Sequence, residues 1–340
     1  MTLEWFRQEA LRFWGTKGKS MSRKSTSSRH FLKAATVAAV AAFAATPLAA
    51  QTVGIGTTKG GATGQIGTAL AQVISLNSDL QVIPQISANT SQYIPMLNAG
   101  KLELAIANYP QTYYAVTGTG MSAEPAEKLQ LVATLMPFYA ALVAPESSGI
   151  KSYADIKGHK IPRYSEDSLG DFILRATLAA GGLTYDDVES VPIANFPQQY
   201  EAFKDGRIDV SIAALGSQAT FDLEAAVGDI QFLPIPEDAI GTVKEFLPGA
   251  YLYDVAANEE LPGLDEPTTV FAYDYLLFAN ADVSADLIAK VAKAIYEGAD
   301  YLKGTGPLWA KFDPATIGKK ADISYHPGAV AFFESAGLDH

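Results

Sequence analysis

The 340-residue chain contains no cysteine, which excludes disulfides, thiolate metal sites and a cysteine nucleophile. Histidine is nearly as scarce: beyond residue 50 only His159, His326 and His340 remain, and none falls in an H-E-x-x-H pattern. No G-x-S-x-G elbow occurs either, so the usual marks of metal-assisted or serine hydrolysis are missing. Positive charge is short as well. Past residue 50 there are 17 Lys and Arg against 35 Asp and Glu, a net charge of −18 over 290 residues. Such a surface repels nucleic acid and anionic lipid, and no basic stripe with interleaved aromatics offsets it. Long apolar runs are missing too: residues 34–45 form a run of twelve, well short of the ~20 residues a spanning helix needs.

What is present begins with an export signal. From Met21 the chain reads MSRKSTSSRHFLK, then the apolar run, then TPLAAQ, which predicts cleavage after Ala50 and a soluble exported protein. SSRHFLK is similar to a twin-arginine signal with Ser28 in place of the first arginine, so the general secretory and twin-arginine routes both stay open. Residues 1–20 read as an upstream extension without fold information.

With about 290 residues left, two packed domains are expected. Strand-like runs at 52–57, 81–86, 102–108, 129–136, 159–164, 190–196, 208–214 and 230–235 alternate with helical patterns, which predicts α/β layers with mainly parallel sheets. LNAGKLELAIA (97–107) and FKDGRIDVSIA (203–213) echo each other: a helix end, a glycine stop, a basic residue, then an apolar strand. The echo suggests two lobes of similar plan, with chance similarity of two helix-to-strand turns as the alternative. The chain would cross between lobes at LVATLMPFYAALVAP and again near 250–275, giving one lobe of 51–137 with 252–340 and another of 138–251. A helix is expected from an N-cap at Ser284 to a stop near Gly304.

Residues 54–67 read GIGTTKGGATGQIG, a glycine-rich turn between a strand and a helix. Both the dinucleotide pattern and the nucleotide-triphosphate loop fail to fit it. What remains is a helix start with free N–H groups, glycines that allow close approach, and hydroxyls. Thr57, Thr58, Lys59, Gly60, Gly61, Thr63 and Gln65 are therefore candidate ligand contacts, with a plain packing turn as the alternative. Asn89, Thr90 and Ser91 open the next helix and offer further donors. Strand ends at Asn108 and Tyr109 and at Gly216 and Ser217 are where open α/β sheets collect ligands. Arg163 could clamp a carboxylate, or be an ordinary strand-edge arginine. Ser165, Asp167 and Ser168 suit a helix start, or Asp167 could hold an ammonium group. Tyr109, Phe138 and Tyr164 are candidate aromatic walls. Asp186/Asp187 and Glu259/Glu260 read as solvated loops. No catalytic, metal or cofactor site is expected.

Taken together, VGIGTTKGGATGQIG, LNAGKLELAIAN, SGIKSYADIKGHKI, GGLTYDDV, FKDGRIDVSIAA and YHPGAVAFFESAG resemble the TAXI-type solute receptors of tripartite ATP-independent periplasmic (TRAP) transporters, across residues 51–340. The resemblance implies a two-lobed periplasmic binding protein of type II, with a ligand cleft between lobes and a hinge of crossing strands. It also implies a receptor that captures an amino acid or other small carboxylate and delivers it to an ion-gradient-driven permease; a monomer is expected. In the common family pattern a GG pair is followed by a small residue, two tyrosines and a proline; here Ala62, Thr63, Gly64 and Gln65 stand instead, so the family's usual ligand is not carried across. A periplasmic sensor subunit serving a membrane kinase, and an exported enzyme on the same fold, are the competing readings.

Overall fold

Val53 and Ile55 lie on one side of QTVGIGTT and are fully buried, which makes β1 (Gln51–Thr58) a strand inside a sheet. The computed structural model describes residues 51–340, and the expected export signal lies outside the described residues. Helix α1 (Gly61–Leu76) follows the glycine turn, and β2 (Leu80–Ser87) returns parallel to β1. Next come α2 (Thr90–Asn98), β3 (Leu104–Asn108), buried along its whole length, and α3 (Tyr109–Thr117).

Two long strands organise the rest. β4 (Leu129–Pro145) is 17 residues long, and β10 (Thr268–Asn280) runs antiparallel to it over Leu129–Ala140. The first half of β4 pairs with the part of β10 that adjoins β3. Its second half pairs with β7 (Ser211–Ala214) and β8 (Ile230–Phe232). Between these strands lie β5 (Lys160–Arg163), α4 (Leu169–Ala180), β6 (Glu189–Pro192), α5 (Phe196–Lys204), α6 (Gln218–Val227), α7 (Ile240–Phe246) and β9 (Tyr251–Val255). The sheet order is β2-β1-β3-β10-β4-β7, with β8 on β4 and β9 on β10, and β5-β6 form a separate parallel pair. The architecture is thus a two-lobed α/β fold with a hinge of crossing strands.

The expected mainly parallel sheets are in fact mixed. Among the strand pairs of the described residues only β1-β2, β1-β3 and β5-β6 are parallel, because β4 and β10 run in opposite directions and impose antiparallel pairing on their neighbours. The sequence echo has a structural counterpart: Gly100 and Gly206 both adopt left-handed backbone, at φ +69° and +67°. The next N–H reaches back to Met96 O from Lys101 and to Ala202 O from Arg207. The helix expected from Ser284 to Gly304 is two helices, α8 (Ala285–Glu297) and α9 (Ala299–Gly304). It breaks at Gly298, where a Cβ would lie 2.1 Å from Val73 Cγ2 of α1. The last helix, α10 (Pro327–Ala336), begins at the buried cap His326.

Candidate functional site

A cavity of about 950 Å³ is bordered by the glycine turn, by β4 and β10, and by the starts of five helices. One wall carries the first turns of α1, α2 and α3 through Gly60 to Thr63, Asn89 to Ser91, and Asn108 with Gln111. The opposite wall carries the starts of α4, at Ser168 to Gly170, and of α5, at Asn195 to Gln198. Each start presents backbone N–H groups that the helix itself leaves unpaired. Gly60, Asn89 and Ser168 make no side-chain cap bond, so the starts of α1, α2 and α4 have no side-chain partner. Asn108 Oδ1 and Asn195 Oδ1 accept from Gln111 N and Gln198 N, and so cap α3 and α5.

Charge on the cavity wall is sparse. Lys59 is its one cation among the described residues, exposed, with no carboxylate partner within ion-pair distance. Glu166 and Asp167 are exposed acids at the edge. Asp167 holds a left-handed backbone at φ 58° and pairs with Arg175 at 3.2 Å, which itself bonds the buried Asp171 at 3.0 Å. Aromatics make up the floor: Phe138, Tyr164, Phe196, Tyr200, Tyr273 and Tyr275. Tyr164 Oη donates to Gln199 Oε1 at 2.8 Å, and Tyr275 Oη meets Thr63 Oγ1 at 2.5 Å. The hydroxyls of Tyr200 and Tyr273 have no partner among the described residues. Burial holds all four phenols well above the ordinary tyrosine value, so they stay neutral donors.

Of the residues singled out in the sequence, Thr58, Lys59, Gly60, Gly61, Thr63, Asn89, Thr90, Ser91, Asn108, Ser165, Asp167 and Ser168 line this cavity, as do Phe138 and Tyr164. The other six lie elsewhere. Thr57 is buried behind the turn and donates to Thr63 O at 2.8 Å. Gln65 faces outward from α1, where its Oε1 accepts from Gln218 N at 3.3 Å and ties α1 to the start of α6. Tyr109 donates to Asp322 at 3.1 Å and stacks on Tyr113, away from the cavity. Arg163 lays its guanidinium over the Tyr185 ring, 3.5 Å from the centroid, so it serves as a packing cation. Gly216, at φ +73°, packs against Pro307, and the buried Ser217 starts α6.

Sequence reasoning missed Gln111, Asn195, Tyr200, Tyr273 and Tyr275. A usable signal existed for two of them: Tyr273 and Tyr275 alternate in TTVFAYDYLLFA and therefore share one face of β10. Gln111 donates to Thr90 Oγ1, joining the starts of α3 and α2, and its Oε1 is buried without a partner.

Two lobes joined by crossing strands, with a cavity bordered by those strands, define the periplasmic binding protein fold. The chain belongs to the NMT1-like family, which it matches over residues 55–337. It is similar, at 15% identity and a TM-score of 0.52, to MatC from Rhodopseudomonas palustris with bound malate, covering 76% of this chain and 90% of that one. It is also similar to a binding protein component of an ABC phosphonate transporter from Pseudomonas aeruginosa, at 12% identity and a TM-score of 0.51, covering 77% of this chain and 81% of the other. By sequence it is 29% identical over 147 residues to a putative binding protein of Brucella abortus (strain 2308). That stretch is 43% of this chain and 38% of the relative's length.

Proposed function

We propose that this protein is an exported solute receptor that captures a small carboxylate between its lobes and hands it to a membrane permease. The observation that carries this reading is the cavity itself, with five helix starts around it and one lysine. A helix start stabilises an adjacent anion by about 0.3–1 kcal/mol, and the starts of α1, α2 and α4 carry no side-chain cap. The expected partner is a TRAP permease driven by an ion gradient, the protein acting as a monomer in the periplasm after loss of residues 1–50. The malate of MatC and the phosphonate named for the Pseudomonas neighbour are likewise anions, which supports an anionic solute. No helix among the described residues is long and apolar enough to cross a membrane.

The lobes are assigned as 51–137 with 252–340, and 138–251. The pairing of β9 with Thr268–Ala272 favours moving the return crossing into β10, beyond Ala272. The two lobes close on the solute as a hinged clamp, with the bound form favoured because both sides contact it. A thermal-shift screen of monocarboxylates, dicarboxylates, keto acids and amino acids should give at least one stabilising acid. Small-angle scattering with that acid should show compaction; no stabilising acid, or no compaction at saturation, overturns the clamp. Uptake in vesicles containing the permease, driven by an ion gradient without ATP, tests the transporter class, and a requirement for ATP overturns it.

A further inference from the structure

Tyr200 comes from α5 in one lobe, and Tyr273 and Tyr275 from the strand that joins both. All three line the cavity. Tyr273 is 1% exposed and lines the cavity, and its hydroxyl has no partner among the described residues. Tyr200 Oη stands beside the uncapped start of α1: a Cβ on Gly61 would be 4.0 Å from it. Tyr275 reaches the same helix turn through Thr63. Phe138 packs against both Tyr273 and Tyr275, with ring centroids 5.8 and 5.2 Å away, and holds the two rings side by side.

Burial raises Tyr273 first, and the neighbouring Tyr275 and Tyr200 raise it further. Tyr200 and Tyr273 are neutral donors without an acceptor among the described residues, and Tyr275, held by Thr63, ties them to the start of α1. A carboxylate fits them because it accepts at two oxygens and gains about twice the strength of a neutral hydrogen bond. An ammonium is less well served: no buried carboxylate lines the cavity among the described residues, Asp167 is already paired with Arg175, and Glu166 is an exposed acid at the edge.

We infer that Tyr200, Tyr273 and Tyr275, with the start of α1, form the subsite for the solute's carboxylate head, and that the solute is an anion without an ammonium group. This rests on the carboxylate reading above and assigns its residues. Because Tyr200 and α1 lie on opposite lobes, the head group bridges them and is the contact that favours closure.

The test is calorimetric titration of the purified protein with three acid skeletons, each as oxo acid and as amino acid: 4-methyl-2-oxopentanoate and leucine, phenylpyruvate and phenylalanine, 2-oxoglutarate and glutamate. The best-bound acid is also tested as its neutral amide. The oxo form should bind about tenfold or more tighter than its amino counterpart. Tyr273→Phe and Tyr200→Phe should each weaken the acid about tenfold or more while leaving the amide within about twofold. Tyr200→Phe, at a half-buried position, gives the same readout independently if Tyr273→Phe fails to fold. Tighter amino-acid binding, or phenylalanine variants that bind the acid as the wild type does, overturn the subsite while the carboxylate reading stands. If no acid or amino acid binds the wild type, the carboxylate reading falls, and the subsite with it.

Discussion

The hydroxyls of Thr63 and Tyr275 meet at 2.5 Å, so the first turn of α1 is fastened to β10 across 212 residues of sequence. Both residues line the cavity, and their bond fixes the glycine turn relative to the crossing strand. Either oxygen could be the donor, so each substitution breaks the same bond. Thr63→Val and Tyr275→Phe should each lower unfolding free energy by about 0.5–1.5 kcal/mol, and the double variant should lose less than the sum. Urea unfolding of the four proteins measures the coupling, and strict additivity would show that the bond contributes nothing.

A second outcome concerns alkaline pH. Burial raises Tyr93, Tyr164, Tyr273 and Tyr275 above the ordinary value of 10.0, and raises Tyr251 and Tyr325 to about 12. These groups hold in the folded state a proton that the unfolded chain releases near pH 10. Their contribution is therefore fully present below the unfolded value and is lost as pH rises through the folded ones. The urea midpoint should stay level from pH 7 to about pH 9 and then fall steeply above about pH 10. A fall beginning below pH 9 would show that groups other than the tyrosines set the alkaline limit.

Lys59 and Arg163 separate the two kinds of cation that sequence alone treats alike. Lys59 stands on the cavity wall, whereas Arg163 lies on Tyr185, whose hydroxyl in turn donates to Asp171 at 2.9 Å. Lys59→Gln should weaken binding of the best acid about three- to tenfold, and the loss should shrink as salt rises, because the charge is exposed. Arg163→Gln should leave that affinity within about twofold and instead lower stability by about 0.5–2 kcal/mol. Calorimetry at two salt concentrations, beside urea unfolding, distinguishes the pair.

The contrast shows what the sequence could convey. Helix starts, glycine stops and buried strands are local signals, so the turn at Gly60 and Gly61, the helix start at Asn89, the strand end at Asn108 and the paired stops at Gly100 and Gly206 were all legible. Direction was not. Arg163 ends a strand as expected, but which way its side chain turns depends on Tyr185, 22 residues later, and only packing brings that ring beneath it. Tyr200 and Tyr273 were hidden for a related reason. A tyrosine in a helix or strand reads as core until another chain segment leaves its hydroxyl facing space, and here that segment is the glycine turn. The sheet's mixed direction was likewise set by the opposed courses of β4 and β10, which no short window reveals.

The glycine turn itself gives the sharpest stability test. At Gly67 an added Cβ would fall 2.2 Å from Thr57 Oγ1 and 2.6 Å from Thr57 Cβ, so α1 lies against β1 with no room for a methyl group. Gly61 differs: its φ of +69° is strained for any other residue, but no atom outside its chain neighbours comes closer than 4.0 Å to an added Cβ. Gly61→Ala should therefore cost about 1–2 kcal/mol, the left-handed penalty alone. Gly67→Ala should cost about 1–3 kcal/mol from overpacking and also displace Thr57, whose hydroxyl holds the Thr63 carbonyl at 2.8 Å. Adding Thr57→Ala to Gly67→Ala removes the nearest oxygen but leaves a Cβ at 2.6 Å, so it should not rescue the loss. Urea unfolding of these variants, with acid affinity measured in parallel, decides the point. Restored stability in the double variant would show that the hydroxyl, and not the approach of helix to strand, is what requires glycine at this position.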